Sequence, residues 1–221
     1  MRTRITLCLV LATLAALASN AQAYGKLELY GLVMDPSDRD GKTYSGSGLG
    51  GGIEAVAPLP GLYNLFAIVG GLEVVNLLSN TTALVDQTTG LRVEQRTSQN
   101  YGRLFLGTQF GSHSSGFLRP YAGLNIAGIW YGISTDVVVP NDANRENEIR
   151  QSLRDENRVA FGWDANLGMD FNFRDRWSID TGVRFLKAYG VPQQFGAGAV
   201  TVSPAYAQYK LGIAFGTHEM K

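Results

Sequence analysis

The most informative segment of the sequence is VAFGWDANLGMDFNFRDRWSIDTGVRF, from Val159 to Phe185. Up to position 173, every odd residue is apolar and every even residue is small or polar. After the polar segment Arg174-Asp175-Arg176, bulky side chains again occupy the odd positions. Alternate side chains of a β-strand lie on opposite faces, so this two-residue period predicts a hairpin of two long strands. One face is bulky and the other is small or charged, which is the pattern of a transmembrane β-barrel with lipid outside and a polar lumen inside.

The start of the chain has the pattern of a cleaved secretory signal. An apolar run from Ile5 to Ala18 follows a basic N-terminus, and the small-residue pattern Ala21-Gln22-Ala23 follows the run. We therefore predict a signal peptide at residues 1–23 and one outer-membrane barrel domain at residues 24–221. The apolar run is too short to span a bilayer as a helix, and no later segment reaches the roughly 18 uninterrupted apolar residues that such a helix needs.

Composition limits the chemistry of the mature domain. The chain has 19 Lys and Arg, 19 Asp and Glu, and one cysteine. Because Cys8 lies within the predicted signal, we expect neither disulfide nor thiol chemistry. The signal also contains two of the basic residues, so its removal leaves the mature domain slightly acidic. We therefore expect no nucleic-acid partner.

The alternation recurs along the rest of the chain. We predict eight strands, at residues 26–34, 48–57, 62–75, 101–111, 117–133, 159–173, 177–185 and 202–215. Their connections are alternately long and short, as in bacterial barrels with short periplasmic turns and long extracellular loops. This pattern predicts an all-β protein, an eight-stranded antiparallel up-and-down transmembrane barrel with both termini in the periplasm. A closed barrel leaves no strand edge unpaired, which a bilayer requires because it holds no water to satisfy backbone groups.

Aromatic residues gather near both ends of the predicted strands and suggest two interfacial girdles. The turn-end girdle consists of Phe110, Phe117, Phe171, Phe173, Trp177 and Phe215. The loop-end girdle consists of Tyr101, Trp130, Phe161, Trp163 and Tyr189.

The long connections are expected to be loops, at residues 35–47, 76–99, 134–158 and 189–199. Within the third, the four-residue spacing of Glu146 with Arg150, and of Ile149 with Leu153, suggests a short helix. The loops at 76–99 and 134–158 are the candidate sites for an extracellular ligand. Their charges are mixed in sign, which is typical of a solvated face.

Charged residues recur on the inward faces of the predicted strands and form the candidate site. They are Glu28, Glu54, Glu73, Arg103, Arg119, Asp164, Asp170, Asp180, Arg184 and Lys210. Pairing about the hairpin turn places Asp170 opposite Asp180, and two like charges there need a cation, for which Arg119 on the neighbouring strand is within reach. Glu28 and Lys210 lie at similar levels and could pair across the seam between the first and last strands.

Two interpretations of this inward set stay open. An eight-stranded barrel is just wide enough for side chains to fill it, so the charges can form an ionic plug. Rings of charged side chains also line pores, so the alternative is a narrow channel for ions or small solutes. Buried charges must be paired in either case. The sequence favours the plug but does not separate the two.

Three segments carry a resemblance to a known family. They are AQA at the end of the signal, RPYAGLNIAGIWYG at Arg119–Gly132 and YKLGIAF at Tyr209–Phe215. With them, the mature chain resembles the small eight-stranded outer-membrane barrels of Gram-negative bacteria, the OmpA/OmpX/OmpW-like class. The resemblance implies a monomer in the outer membrane, contact with outer-membrane lipid and lipopolysaccharide, and insertion by the barrel-assembly machinery. Members generally end on an aromatic residue, whereas this chain continues for six residues after Phe215.

Some barrels of this class modify lipid A with His and Ser, so an enzymatic role has to be weighed against a structural or surface-interaction role. His113-Ser114-Ser115 contains a His-x-Ser, but the predicted topology places it in a periplasmic turn, far from acyl chains in the outer leaflet. His218 falls in the periplasmic tail. We therefore expect no catalytic residue, no cofactor and no metal site, and we keep adhesion through the loops as a less favoured alternative.

Overall fold

The structure is a computed structural model. It describes residues 25–59, 65–85, 92–111, 116–139, 149–174, 177–195 and 198–216. The signal peptide predicted at residues 1–23 lies outside these ranges, as do His113 and His218. No helix among the described residues is long and apolar enough to cross a bilayer.

The described residues form ten strands and one helix. In chain order they are β1 (Lys26–Pro36), α1 (Arg39–Tyr44), β2 (Gly48–Pro58), β3 (Phe66–Val85), β4 (Arg92–Gly111), β5 (Leu118–Val139), β6 (Ile149–Arg174), β7 (Trp177–Tyr189), β8 (Val191–Phe195), β9 (Gly198–Val202) and β10 (Ala205–Gly216). All strands except β8 and β9 join in a closed barrel, with the order β1-β10-β7-β6-β5-β4-β3-β2. Each pairs antiparallel with its neighbours, and β10 closes the barrel on β1. The predicted eight-stranded up-and-down barrel is confirmed.

The strands are longer than predicted at the end of the barrel that carries the long connections. β3 and β4 pair as far as Val85 and Arg92, and β5 and β6 pair as far as Val139 and Ile149. The mostly polar composition that suggested loops belongs here to paired strands. Such strands form because neighbours in an antiparallel hairpin satisfy each other's backbone groups whatever side chains they carry.

Several details of the predicted connections are therefore wrong. The loops predicted at 76–99 and 134–158 are strands over most of their described length, and Ile149–Leu153 is part of β6 instead of a helix. A helix occurs instead in the first long connection, where α1 begins after Asp38. The side chain of Asp38 accepts a hydrogen bond from the backbone N–H of Gly41 at 2.8 Å and caps the helix.

The predicted faces of the strands agree with the observed exposure. In the β6–β7 hairpin, Val159 and Leu167 are 80% and 61% exposed, whereas Asp164 and Asp180 are 0% and 1% exposed. Outward apolar side chains on all eight barrel strands form a continuous apolar belt around the wall. One residue of the predicted loop-end girdle is wrongly placed, because Tyr101 points into the barrel and is 1% exposed.

Candidate functional site

The barrel interior holds the charged residues that the sequence predicted to point inward. Nine of the ten are buried, namely Glu28, Glu54, Glu73, Arg103, Asp164, Asp170, Asp180, Arg184 and Lys210. The tenth, Arg119, is half-buried on β5 and lies opposite Asp170 in the strand register. Every barrel strand contributes at least one of the ten. Each of the ten occupies a position in its strand whose side chain faces the lumen. We call these residues, together with Lys26, the charged network.

Arg184 lies at the centre of the charged network. Its Nη1 is 2.8 Å from Glu73 Oε2, its Nη2 is 3.0 Å from Glu54 Oε2, and its Nε is 3.3 Å from Asp164 Oδ1. In a ring of eight strands, β3 stands diametrically opposite β7. Arg184 and Glu73 therefore meet across the lumen from opposite walls of the barrel. The planar guanidinium has five donors in a fixed fork, which lets it serve three carboxylates at once.

Arg103 extends the network toward β6. Its Nη1 lies 3.0 Å from Asp164 Oδ2, and its Nε lies 3.6 Å from Glu73 Oε2. Asn125 Nδ2 donates a hydrogen bond to Asp164 Oδ1 at 2.7 Å. The guanidinium carbon is 4.3 Å from the centroid of the Phe105 ring, a cation–π contact. Because Arg103 is fully buried, loss of either carboxylate would leave its charge poorly compensated.

The carboxylates at the turn end of the barrel are bridged by a lysine that the sequence prediction did not consider. Asp170 and Asp180 face each other in the β6–β7 register. Lys26 Nζ lies 3.2 Å from Asp170 Oδ2 and 2.9 Å from Asp180 Oδ2, and Tyr121 donates its hydroxyl to Asp180 Oδ1 at 2.6 Å. Arg119, the cation that the sequence predicted for Asp170, lies directly opposite Asp170 in the β5–β6 register. Lys26 has the same inward parity as Glu28, and following the alternation one step back along β1 would have found it.

Lys210 joins the strands on both sides of the β1–β10 seam. Its Nζ lies 3.1 Å from the Glu28 carboxylate, 3.4 Å from Glu54 Oε1 and 3.3 Å from Asp180 Oδ1. It also lies 5.1 Å from the centroid of the Tyr30 ring. The pair expected at the seam thus forms part of a wider cluster in which one ammonium group meets three carboxylates.

Neutral side chains complete the charged network, and the sequence prediction assigned them no role. Gln208 donates from Nε2 to Glu73 Oε1 at 2.7 Å, and the Tyr30 hydroxyl donates to Glu73 Oε2 at 3.1 Å. Glu73 thus accepts hydrogen bonds from three different strands, since Arg184 also donates to it. The alternation placed Gln208 and Tyr30 on the inward face, but the carboxylate that each meets depends on how the strands are staggered.

The loop-end half of the interior is apolar, which the predicted polar lumen did not include. Met34, Leu77, Ile129 and Leu186 are almost completely buried there. Beside them, Tyr101 packs edge-on against Tyr131, with centroids 5.4 Å apart, and against Tyr206 at 6.3 Å. We call these seven residues the apolar layer. It fills the barrel between the charged network and the mouth.

Helix α1 is tied to the rim of the barrel over the apolar layer. Asp38 Oδ2 lies 2.6 Å from Lys187 Nζ on β7, and Asp38 Oδ1 accepts a hydrogen bond from the backbone N–H of Ala205 at 2.9 Å. Asp40 accepts a second backbone bond, from Ser203, at 3.1 Å. Partial burial acts to raise the pKa of Asp38, but the hydrogen bonds from Lys187, Ala205 and Gly41 outweigh it and hold the pKa below its usual value.

No group of three or more His, Cys, Asp or Glu side chains within the described ranges is arranged to hold a metal ion. The charged network instead pairs its carboxylates with Lys and Arg. Such a set of ion pairs can hold strands in register and fill space.

The solved structures that are similar to this barrel include the following three. Neisserial surface protein A superposes with a TM-score of 0.51 at 11% identity, covering 87% of this chain and 95% of that one. Ail, the attachment invasion locus protein of Yersinia pestis, gives 0.50 at 10% identity, with 88% and 98% covered. A major outer membrane protein from Thermus thermophilus gives 0.50 at 11%, with 87% and 99% covered.

The chain has the fold of the small eight-stranded outer-membrane β-barrels. At identities of 10% and 11% the likeness is one of fold alone. No protein-family model matches the sequence, and no curated protein matches it.

Proposed function

We propose that this protein is an integral outer-membrane barrel with a structural or surface-interaction role, whose lumen is closed by side chains instead of serving as a channel. The observation that carries the proposal is the position of Arg184. Its guanidinium, held on β7, contacts Glu73 on the opposite wall at 2.8 Å. Contact between opposite walls leaves no space at that level for a hydrated ion, in keeping with the narrow interior of eight-stranded barrels.

The apolar belt supports the outer-membrane location. Leu29, Leu124 and Leu211 are among many large apolar side chains on the outer wall that are more than half exposed. Removing one such side chain from water is worth about 1.5–3 kcal/mol, so a belt of them would be costly in water and is satisfied by lipid. Since the short connections, the start of β1 and the end of β10 share one end of the barrel, we propose that this end, with both termini, faces the periplasm.

The apolar layer supports closure at a second level. An ion that passed the charged network would next meet Met34, Leu77 and Ile129, which offer no polar atoms to replace its hydration shell. The alternative, a narrow channel for ions or small solutes, therefore requires both the network and the layer to rearrange.

Recognition at the cell surface is the second candidate function, and the length of the hairpins favours it. β6 has 26 residues, whereas β7, its neighbour in the barrel, has 13. At roughly 3.3 Å per residue, the β5–β6 hairpin projects far beyond the rim of the barrel. Such a ribbon could present side chains to an extracellular ligand, as could the β3–β4 hairpin.

The remaining parts of the proposal concern partners and chemistry. We propose that the protein is a monomer that contacts outer-membrane lipid and lipopolysaccharide, is inserted by the barrel-assembly machinery, binds no cofactor and is not an enzyme. What supports the last point is the sequence, whose two histidines fall in a predicted periplasmic turn and tail.

Planar-bilayer recording of the refolded mature chain tests closure of the lumen. We expect no reproducible unitary conductance from the wild-type protein. Stable conductance steps that change in size or selectivity in Arg184→Ala, but not in the matched rim variant Lys187→Ala, would show that the network lines a pore and would overturn the proposal. A difference in gel mobility before and after boiling verifies in each case that the barrel is folded.

A further inference from the structure

A groove of about 630 Å³ lies on the outer wall of the barrel, across β2 to β6. Its lining comes from the loop-end part of these strands, where the apolar belt ends. None of its thirteen lining residues carries a formal charge. The groove is therefore a neutral, partly polar depression at the border of the belt.

Three asparagines form one side of the groove. The strand register aligns Asn76, Asn100, Gly132 and Asn157 in a single row across β3, β4, β5 and β6. Asn76 Nδ2 donates a hydrogen bond to Asn100 Oδ1 at 3.2 Å. Asn157 Oδ1 lies 3.1 Å from the place that a Cβ of Gly132 would occupy, so its amide leans over the glycine toward Asn100. We call the three exposed amides the amide row.

A tryptophan forms the floor beside the amide row. Two residues closer to the turn end on the same strands, Val74, Gly102, Trp130 and Val159 align in the next outward-facing row. A Cβ on Gly102 would collide with Nε1 and Cε2 of Trp130, so the indole lies directly against the bare backbone of β4. The indole keeps 39% of its surface exposed. Only a glycine at position 102 permits this arrangement.

Amides beside a flat indole have the chemistry that recognises a sugar ring. Each primary amide has two donors and one acceptor oxygen, which suits vicinal hydroxyl groups, and the indole offers an apolar face to the C–H groups of the ring. The uncharged lining does not suit a phosphate or carboxylate, for which Arg and Lys are the usual partners. Beyond the indole, Val74 and Val159 continue into the apolar belt.

We propose that this groove binds the sugar headgroup of a glycolipid in the outer leaflet. The sugar lies against the amide row and Trp130, and the acyl chains run along Val74 and Val159. This inference rests on the proposed function, because it requires the barrel to stand in a bilayer with the loop end outward. It adds a specific site and a class of ligand to general contact with lipid.

Native mass spectrometry of lipids retained on the protein tests the site. The mature chain is refolded into phosphatidylcholine vesicles that contain either digalactosyldiacylglycerol or phosphatidylglycerol as a minor component, and is then extracted in mild detergent. The wild type should retain the galactolipid in preference to both phospholipids. The double variant Asn100→Leu/Asn157→Leu should retain it roughly ten-fold less, as expected for the loss of two neutral hydrogen bonds.

Two further variants make the result specific. Gly102→Ala leaves the amide row intact but displaces the indole. This variant should retain less galactolipid than the wild type, by about the same factor as the double asparagine variant. The matched control Thr181→Leu replaces an exposed polar side chain on the outer face of β7, away from the groove, and should retain the galactolipid like the wild type. If Gly102→Ala does not fold by the gel-mobility criterion, the comparison of the double asparagine variant with the wild type alone tests the site.

Each contrary result has a distinct meaning. Equal retention of galactolipid by folded wild type and folded groove variants overturns the site, as does equal retention of phosphatidylglycerol and galactolipid by the wild type. Groove variants that change only the oligomeric state would make a second copy of the chain the occupant and would also overturn it. Failure of the wild type to insert into vesicles would instead contradict the proposed function, whereas insertion without retention contradicts the site alone.

Discussion

The two halves of the barrel interior are filled in opposite ways by the same strands. Along the inward face of β1, the side chains change from Lys26 and Glu28 at the turn end to Leu32 and Met34 at the loop end, with Tyr30 between them. In the charged half, the fit depends on partners, because each buried ion requires a counter-ion at hydrogen-bond distance. In the apolar half, the packing of the side chains depends on their volume and shape, and substitutions that conserve volume are tolerated. Packing in the charged half therefore depends on which side chains meet across the lumen, and packing in the apolar half on how completely the side chains fill the space.

Two inward residues of β7 allow this contrast to be tested with one replacement. Arg184 belongs to the charged network and Leu186 to the apolar layer, and they are neighbours on the same face of the strand. Methionine is close to both side chains in volume, so it removes a charge at position 184 and changes mainly the shape of the side chain at position 186.

Arg184→Met is expected to have the largest effect. It leaves Glu54, Glu73 and Asp164 buried without their shared cation, and breaking a buried pair in this way costs about 3–5 kcal/mol. The free energy of unfolding can be measured by urea denaturation in lipid vesicles, followed by tryptophan fluorescence. Adding Glu54→Gln and Glu73→Gln to the same chain should recover part of the loss. An unchanged unfolding free energy in the single variant would mean that the network does not stabilise the barrel.

Leu186→Met should cost less than about 1.5 kcal/mol, because it conserves volume within the apolar layer. Leu186→Ala should cost about 2–5 kcal/mol, since it leaves a cavity in a closely packed region. The same urea titration compares both with Arg184→Met. If Leu186→Met lowered the free energy of unfolding as much as Arg184→Met, the charged and apolar halves of the interior would not differ in the way described.

Lys26→Gln should have a smaller effect than Arg184→Met. Lys26 lies at the turn end of the charged network with part of its side chain exposed, so water can reach Asp170 and Asp180 when the ammonium is removed. The loss of hydrogen bonds to charged groups there should cost about 1.5–3 kcal/mol. Lys26→Arg is the matched control, because it keeps the charge and should recover most of the stability. If Lys26→Gln and Lys26→Arg unfold at the same urea concentration, the charge at this position contributes nothing.

The sequence predicted the direction of side chains better than their partners. A two-residue period determines every inward position of a strand once one of them is known, which is why all ten predicted residues point into the barrel. Tyr101 shares the inward parity of Arg103, and this parity, not its aromatic character, determines that it points into the barrel. The contact of Lys26 with Asp170 and Asp180 was not predicted, because it depends on the stagger of strands far apart in the chain. That stagger brings Lys26 Nζ to 3.2 Å from Asp170 Oδ2 and 2.9 Å from Asp180 Oδ2.

The apolar layer and the polar strand extensions were missed for a related physical reason. In the membrane-spanning part, a lipid-facing residue must be apolar, but an inward residue has no such restriction and can be charged or apolar. Alternation therefore identifies the outer face and leaves the filling of the lumen open. Outside the belt neither face is restricted, so Asn80 and Thr81 can lie in an extension of β3 whose sequence does not alternate.

The smallest predicted effect is at the rim, where Asp38 holds α1 over the apolar layer. Its pKa is lowered in the folded state by the hydrogen bonds from Lys187, Ala205 and Gly41, which outweigh its partial burial. The carboxylate therefore stabilises this attachment above its unfolded pKa of about 3.9, and the contribution is lost as the pH falls through the lower folded value. Amide hydrogen exchange in α1 should accordingly accelerate on acidification below about pH 4, relative to exchange in the barrel strands.

Asp38→Asn keeps a capping side chain without the charge, so amide exchange in α1 of this variant should be faster at neutral pH and should lose this acid dependence. Identical pH profiles for the two proteins would show that Asp38 does not hold the helix. A profile that accelerates equally in the barrel strands would mean that the whole barrel, and not the rim alone, opens in acid.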